Sequence, residues 1–561
     1  MKKTNTKDTS FLFLLALMFI FPFLKGMHDT LTVIIMAAIM IVAIIIKSRK
    51  NKCFKYSLDF NFIIILIWSL SYLISSFYAV DKGMALLGAL KMLSIPIFLL
   101  LYFQYDITDT NKNKLHKCIA YSGSIMTILS LLFSIIPSLR EFFFVSNRLH
   151  GFFLYANTFG VWLLIGVIIL LFQEKLTKKD IASLIVSVIG IVLTNSRAII
   201  ILTILAFIVS FFFTKLNKKT YGILILTSIV IGIILMLILN SINISSRLED
   251  VTSSSEFLTR FLYYHDAIIQ ILKHPFGLGH QGWWTIQSTV QTGVYDCQYI
   301  HNAPLQIMLD VGILPCLLLM VLIFKTLFDK KVSVMEKVIL LFILTHAMID
   351  FDFEFLAIVY LIILIPHYNI QSTTSKTPQI CFFILLAINV YFIFPLSFFE
   401  ANMNELAYKL YPNYTFALRK ELLLTDDTDI KLEFATRANK LDKYSYDIYD
   451  ALYNVALENG DTEKAYENIR QVTEANKYSM LAYIKYLNFL ETTMYEYMDS
   501  YDDENTKLYM ERIIEVEDMI DETLDNTNPL AFESEHPPLL EIPEDIQAFI
   551  DEVKNYYYEN Y

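Results

Sequence analysis

The sequence predicts an all-α fold: a polytopic membrane helical bundle of about 12–13 transmembrane helices, followed by a C-terminal α-helical domain. Three observations carry this. The 561 residues are 55% hydrophobic and 18% charged, with a mean hydropathy of +0.48, too apolar for an ordinary soluble chain. Apolar stretches of about 20 residues, the length that crosses a bilayer, recur through the first 400 or so positions. The charge is also divided: residues 400–561 hold about 36 acids against 14 bases, roughly −22, which leaves about +11 for residues 1–399 out of a total of −11. The chain therefore reads as a transmembrane domain over 1–399 and an acidic helical domain over 400–561. No concentrated basic face stands away from the bilayer, which argues against a nucleic-acid partner. Cys53, Cys118, Cys297, Cys316 and Cys381 have no paired spacing, so neither a disulfide framework nor a zinc site is signalled.

Candidate spans lie near 10–25, 30–46, 61–79, 84–103, 118–137, 152–172, 181–195, 197–213, 221–240, 305–325, 337–350, 353–367 and 379–398. The first is read as a span, because no small-residue cleavage site follows it and another span begins within a few residues. Lysines and arginines fix the orientation: one set of alternate loops collects about 22 of them and the other about 8. The basic side is cytoplasmic and includes the N-terminus. The loop 241–304 is then extracytoplasmic, and an odd number of spans carries the 400–561 domain outside as well.

That loop is far longer than a connector needs to be, and loops of this length usually carry function. Residues 256–273 have the spacing of an amphipathic helix, with Phe257, Phe261, Tyr264, Ile268 and Leu272 on one face and Arg260 at its edge; such a helix can lie on the membrane surface. His274-Pro275 ends it. Gly277, Gly279 and Gly282 follow around His280, then Trp283-Trp284, an aromatic pair suited to the membrane interface. In Tyr299-Ile300-His301-Asn302-Ala303-Pro304, Asn302 can cap the tenth helix and Pro304 fits its first turn.

In the C-terminal domain, Lys443-Tyr444-Ser445 recurs as Lys477-Tyr478-Ser479 and Tyr449 recurs as Tyr483, each 34 residues on. That is the tetratricopeptide period. One helix ends at Gly460 and a second is capped by Asp461 or Thr462, with atypical capping helices expected near 504–526 and 541–557. A tetratricopeptide-like domain of this kind is a docking surface for a protein partner rather than a catalytic one.

The combination of Asn195-Ser196-Arg197, Arg260 with the turn His274-Pro275-Phe276-Gly277-Leu278-Gly279, His301-Asn302 with Leu305-Gln306 and Gly312, and the earlier Arg148-Leu149-His150-Gly151 with Asn157 resembles the O-antigen ligase / O-antigen polymerase superfamily of membrane glycosyltransferases. The likeness covers roughly residues 140–320. It implies transfer of a glycan from an undecaprenyl-pyrophosphate carrier to an acceptor at the outer face of the cell membrane, by an inverting reaction without cofactor or metal. The acceptor is a glycan, a wall polymer, a lipid or a protein.

The residue types suit that chemistry. Arginine is always charged and grips phosphate oxygens bidentately, so it can neutralise a pyrophosphate leaving group. Arg197 and Arg260 match the family's pyrophosphate-binding arginines, with Arg148, Asn157, Arg247 and Asn302 in support. His301 is the candidate catalytic base for the acceptor hydroxyl. Asp350 and Asp352 could be a cation-holding acidic pair, but with His346 one turn earlier they read better as a polar cluster where two short helices meet. The rival readings are a polymerase joining lipid-linked repeat units, a membrane transporter and a non-enzymatic scaffold. A transporter calls for ionisable residues at mid-membrane and inverted repeats, whereas the notable charges here gather at the outer boundary.

Overall fold

The computed structural model describes residues 11–241 and 255–561. Among them, five helices are long and apolar enough to cross a bilayer: Thr30–Asn51, Lys82–Phe103, Asp109–Phe133, Lys218–Leu235 and Pro378–Glu400. Shorter apolar helices stand beside them, Phe11–Phe23, Phe60–Ser75, Ala156–Leu171, Arg197–Phe213 and Ile313–Phe328. Side chains set where they begin. Asp29, Asp59 and Asp81 each accept a hydrogen bond from a backbone N–H of the following first turn, and Thr177 and Ser333 close capping boxes with Asp180 and Glu336. Ala156–Leu171 is apolar all round and buried along almost its whole length, so it forms the axis of the bundle. Arg197–Phe213 and Lys218–Ser241 instead leave rows of Ile, Leu and Phe exposed, as lipid-facing helices do.

Two expected spans take other forms. The single tenth helix is two, Ala303–Val311 and Ile313–Phe328, broken at Gly312, whose φ is +89°. The expected span at 353–367 contracts to the 3-10 turn Asp352–Glu354 and the eight-residue helix Leu356–Ile363, every residue of which is buried. Two small antiparallel ribbons interrupt the helices. Phe54–Ser57 pairs with Ile370–Thr373, and Phe144–Val145 pairs with Arg148–Leu149.

In the tail, helices run Asn404–Leu410, Thr415–Leu424, Thr428–Leu441, Tyr446–Glu458, Thr462–Ala475, Met480–Asp499, Asp503–Asp525 and Glu544–Asn560. The pair at Tyr446 and the pair at Met480 start 34 residues apart, but the second pair is longer, with helices of 20 and 23 residues. The tail is not hung on a linker. Ala407, Tyr408, Tyr411, Tyr414, Ala417 and Leu418 share one apolar core with Ile34, Met84, Leu87 and Leu90. Tyr411 donates to the Gly83 carbonyl at 2.9 Å. On the other flank Ala531 enters the core of the 255–304 loop, and Asn528 N–H donates to Thr292 O at 2.8 Å. Tail and loop therefore share one end of the bundle, the end opposite the ribbon of Lys55.

Candidate active site

The ribbon before Ala156–Leu171 turns through Ser146 and Asn147, both at positive φ, the paired conformation of a tight type I′ hairpin. It aims Arg148 inward. Arg148 Nε donates to Thr194 O at 3.0 Å and Nη2 donates to Asn157 Oδ1. Asn157, in the first turn of Ala156–Leu171, passes the chain on: its Nδ2 donates to Asp350 Oδ2 at 2.7 Å, and the Tyr155 hydroxyl donates to Asp350 Oδ1 at 2.8 Å. His301 Nδ1 stands 3.4 Å from Asp350 Oδ1, within ion-pair reach.

Asp350 is thus the hub of the cluster and is fully buried, whereas the His301 side chain is 26% exposed. Three donors converge on the Asp350 carboxylate: the Tyr155 hydroxyl, the Asn157 amide and the Phe351 N–H.

The loop supplies the other side. The loop helix Ser255–Lys273 buries Leu262, Tyr263, Asp266, Ala267 and Ile271 in the loop's core and leaves Phe257, Phe261, Ile268 and Leu272 exposed, the stripe expected of a surface-lying helix. From its edge Arg260 Nη1 donates to Ile349 O at 2.7 Å, close enough to act on Asp350 and Tyr155 electrostatically. The Tyr264 hydroxyl donates to the His301 carbonyl. Asn302 caps Ala303–Val311 by accepting from Leu305 N–H, and its Nδ2 donates to Met348 O at 2.8 Å. His301 is held by both neighbours.

The glycine-rich turn locks this arrangement to the broken helix. Gly277, at φ +90°, lies so close to Asp310 O that a Cβ would sit 2.6 Å from it, and a Cβ on Gly312 would sit 2.5 Å from Pro275 O. Leu278 and Gly279 N–H donate to the Leu309 and Asp310 carbonyls, and Ile313 N–H donates to Pro275 O. The helix breaks where it does because the turn occupies the gap.

The structure thus gathers His301, Asn302, Arg260, Arg148 and Asn157 at one place. Arg197 opens the helix Arg197–Phe213 at the same rim, three residues past the carbonyl that holds Arg148, and is exposed. Arg247 lies outside the described residues. Asp350 and Asp352 do not converge: Asp352 accepts from Thr158 Oγ1 at 2.8 Å and pairs with His346 Nδ1 at 2.6 Å, deep in the bundle. Trp283 is no membrane anchor; it is fully buried and donates to Cys297 O, while Trp284 meets Phe416 of the tail edge-on.

Sequence reading missed two groups. Tyr155 left no signal beyond its place two residues before Asn157. A second buried cluster lies beneath the site, where Lys91 Nζ donates to Glu354 Oε2 at 3.0 Å and His280 Nδ1 stands 3.5 Å from Asp310 Oδ2. Charges therefore do not keep to the outer boundary. Lys91, 1% exposed, sits near the middle of Lys82–Phe103, and a lysine inside an apolar run was the available signal. His280, Asp310 and Glu354 bring metal-competent atoms within 4.8 Å of one another, but the Lys91 ammonium already stands at that group.

A bundle of long apolar helices with a cluster of polar side chains at one end is the architecture of a polytopic membrane protein. Residues 182–321 match a family model described as O-Antigen ligase, a stretch that takes in Arg197, Arg260, His301 and Asn302. No curated protein and no solved structure matches the chain. The match supports a membrane enzyme of the O-antigen ligase type, and such an enzyme implies a lipid-linked glycan donor and a bilayer around it.

Proposed function

We propose that this protein is an inverting, metal-independent glycosyltransferase that moves a glycan from a polyprenyl-pyrophosphate carrier to an acceptor hydroxyl at the outer face of the cytoplasmic membrane. The observation that carries the reading is the His301–Asp350 pair beside Arg260 and Arg148. With Nδ1 turned to Asp350, Nε2 is the nitrogen left to accept the acceptor's proton. The acceptor oxygen bonds to the anomeric carbon as the carbon–oxygen bond to pyrophosphate breaks. The electron pair leaves with the pyrophosphate, and Arg260, Arg148 and Arg197 offset the charge that grows on it. Attack opposite the leaving group inverts the anomeric centre.

The lysine asymmetry supports an outward-facing site, since site and tail share the end opposite the lysine-rich loops; the N-terminus is then cytoplasmic and the tail extracytoplasmic. The acceptor is a glycan, wall polymer, lipid or protein, and the tetratricopeptide-like tail offers a face to a protein partner. The test is transfer from a purified lipid-linked donor. His301→Ala should abolish transfer while donor binding persists, and a chelator should leave turnover unchanged. Full activity in His301→Ala would overturn the assignment.

A further inference from the structure

The cluster beneath the site is tied to the two chain segments that carry His301 and Asp350, without touching either side chain. Gln306, buried in Ala303–Val311, accepts from Ile300 N–H at 2.8 Å through Oε1, one residue before His301, and its Nε2 donates to Asp310 Oδ1 at 2.9 Å. The other Asp310 oxygen faces His280 Nδ1 and accepts from the Tyr72 hydroxyl at 3.3 Å. The His280 ring lies against Gly88, whose missing Cβ would sit 2.2 Å from it, and Gly88 is one turn before Lys91 on the same helix. Lys91 in turn holds Glu354, four residues past Asp350. All of these side chains are buried.

We infer that Gln306 and Glu354 are positioning residues: one buried network, anchored on Lys82–Phe103, registers His301 against Asp350. The inference rests on the catalytic reading of His301. Its physical basis is that a misplacement of about 1 Å between reacting groups costs on the order of 100-fold in rate, and that Asp350 and His301 come from segments 49 residues apart, joined directly by the Asn302–Met348 hydrogen bond and by the rings of Tyr299 and His301 on Phe351, and buttressed from beneath by this network. The network supplies two of the restraints that fix their separation. A stranded buried charge would also damage the fold, so the test has to separate register from stability.

The experiment uses the full chain in lipid nanodiscs with a purified lipid-linked donor. Gln306→Met keeps the volume and removes both hydrogen bonds. It should lower kcat about tenfold or more with donor KM near wild type, and lower the melting temperature modestly because the buried Ile300 N–H and Asp310 Oδ1 lose these partners. Glu354→Gln should lower both activity and stability, since it strands the Lys91 ammonium. The double change Lys91→Met, Glu354→Met replaces the ion pair by apolar side chains; it should restore the melting temperature but not kcat. Recovery of both together in the double variant, or wild-type kcat in Gln306→Met, would overturn the inference. So would a stoichiometric metal ion in the purified protein that His280→Ala removes, because the cluster would then be a metal site. If His301→Ala is inactive while Gln306→Met is normal, only this inference fails; if His301→Ala is active, the catalytic reading fails with it.

Discussion

His301 and Asp350 mark how far single residues can be read from a sequence. His301 stood out because it precedes an Asn-Ala-Pro helix start and because His301-Asn302 is part of the resemblance to the O-antigen ligase superfamily, both signals held in one short stretch. Asp350 stood out only as one of an acidic pair with Asp352, without a role, since its partners Tyr155, Asn157 and His301 come from segments up to 195 residues away. Asp350→Asn keeps the shape and removes the charge that orients the imidazole. It is expected to lower kcat on the order of 100-fold while donor binding stays within about threefold, and an unchanged kcat would remove Asp350 from the mechanism. Arg260→Lys should recover only part of what Arg260→Ala loses in donor affinity, because an ammonium cannot form the guanidinium's bidentate fork. Equal behaviour of the two would reduce Arg260 to its structural bond with Ile349.

At the scale of elements, the periodic signals were the legible ones. The loop helix, the capped helix starts and the two tail helix pairs follow local rules of spacing and capping. The break at Gly312 and the contracted Leu356–Ile363 helix were illegible, because both depend on what another segment places alongside them. Trp283-Trp284 failed for the same reason: an aromatic pair suits an interface and a loop core equally well. Two glycines separate the effects. Gly460→Ala meets only the backbone cost of φ +68° in open space, about 1–2 kcal/mol. Gly312→Ala adds a clash with Pro275 O and should lower the melting temperature clearly further; equal losses would mean that the turn and the broken helix are not interlocked. Cys297 is 6% exposed, so an impermeant thiol reagent should fail to label it in native cells yet label it after denaturation, whichever way the loop faces.

For the whole molecule, the tail behaves as a wall of the bundle. Asp81 and Asp442 are both buried near this joint; burial, reinforced by the Asp442 carboxylate, pushes Asp81 up to about 7, and burial, reinforced by Asp447, pushes Asp442 upward as well. The folded state thus holds protons more tightly than the unfolded state does. Stability from this source is greatest below the unfolded pKa, near 3.8, and is lost as pH rises to about 7, with little further change above. Melting of the purified protein should therefore occur at lower temperature at pH 7 than at pH 5, and Asp81→Asn should flatten that difference. Removal of residues 405–561 should cost folded protein as well as any docking function, because it strips an apolar core from Met84 and Leu87 and another from the loop. Synthesis adds a temporal consequence. The loop helix that carries Arg260 waits for Ala531, some 270 positions later in the chain, before its core closes. A chain cut before that point lacks this wall of the loop's core, and limited proteolysis should cleave the 255–304 loop faster in it than in the full chain.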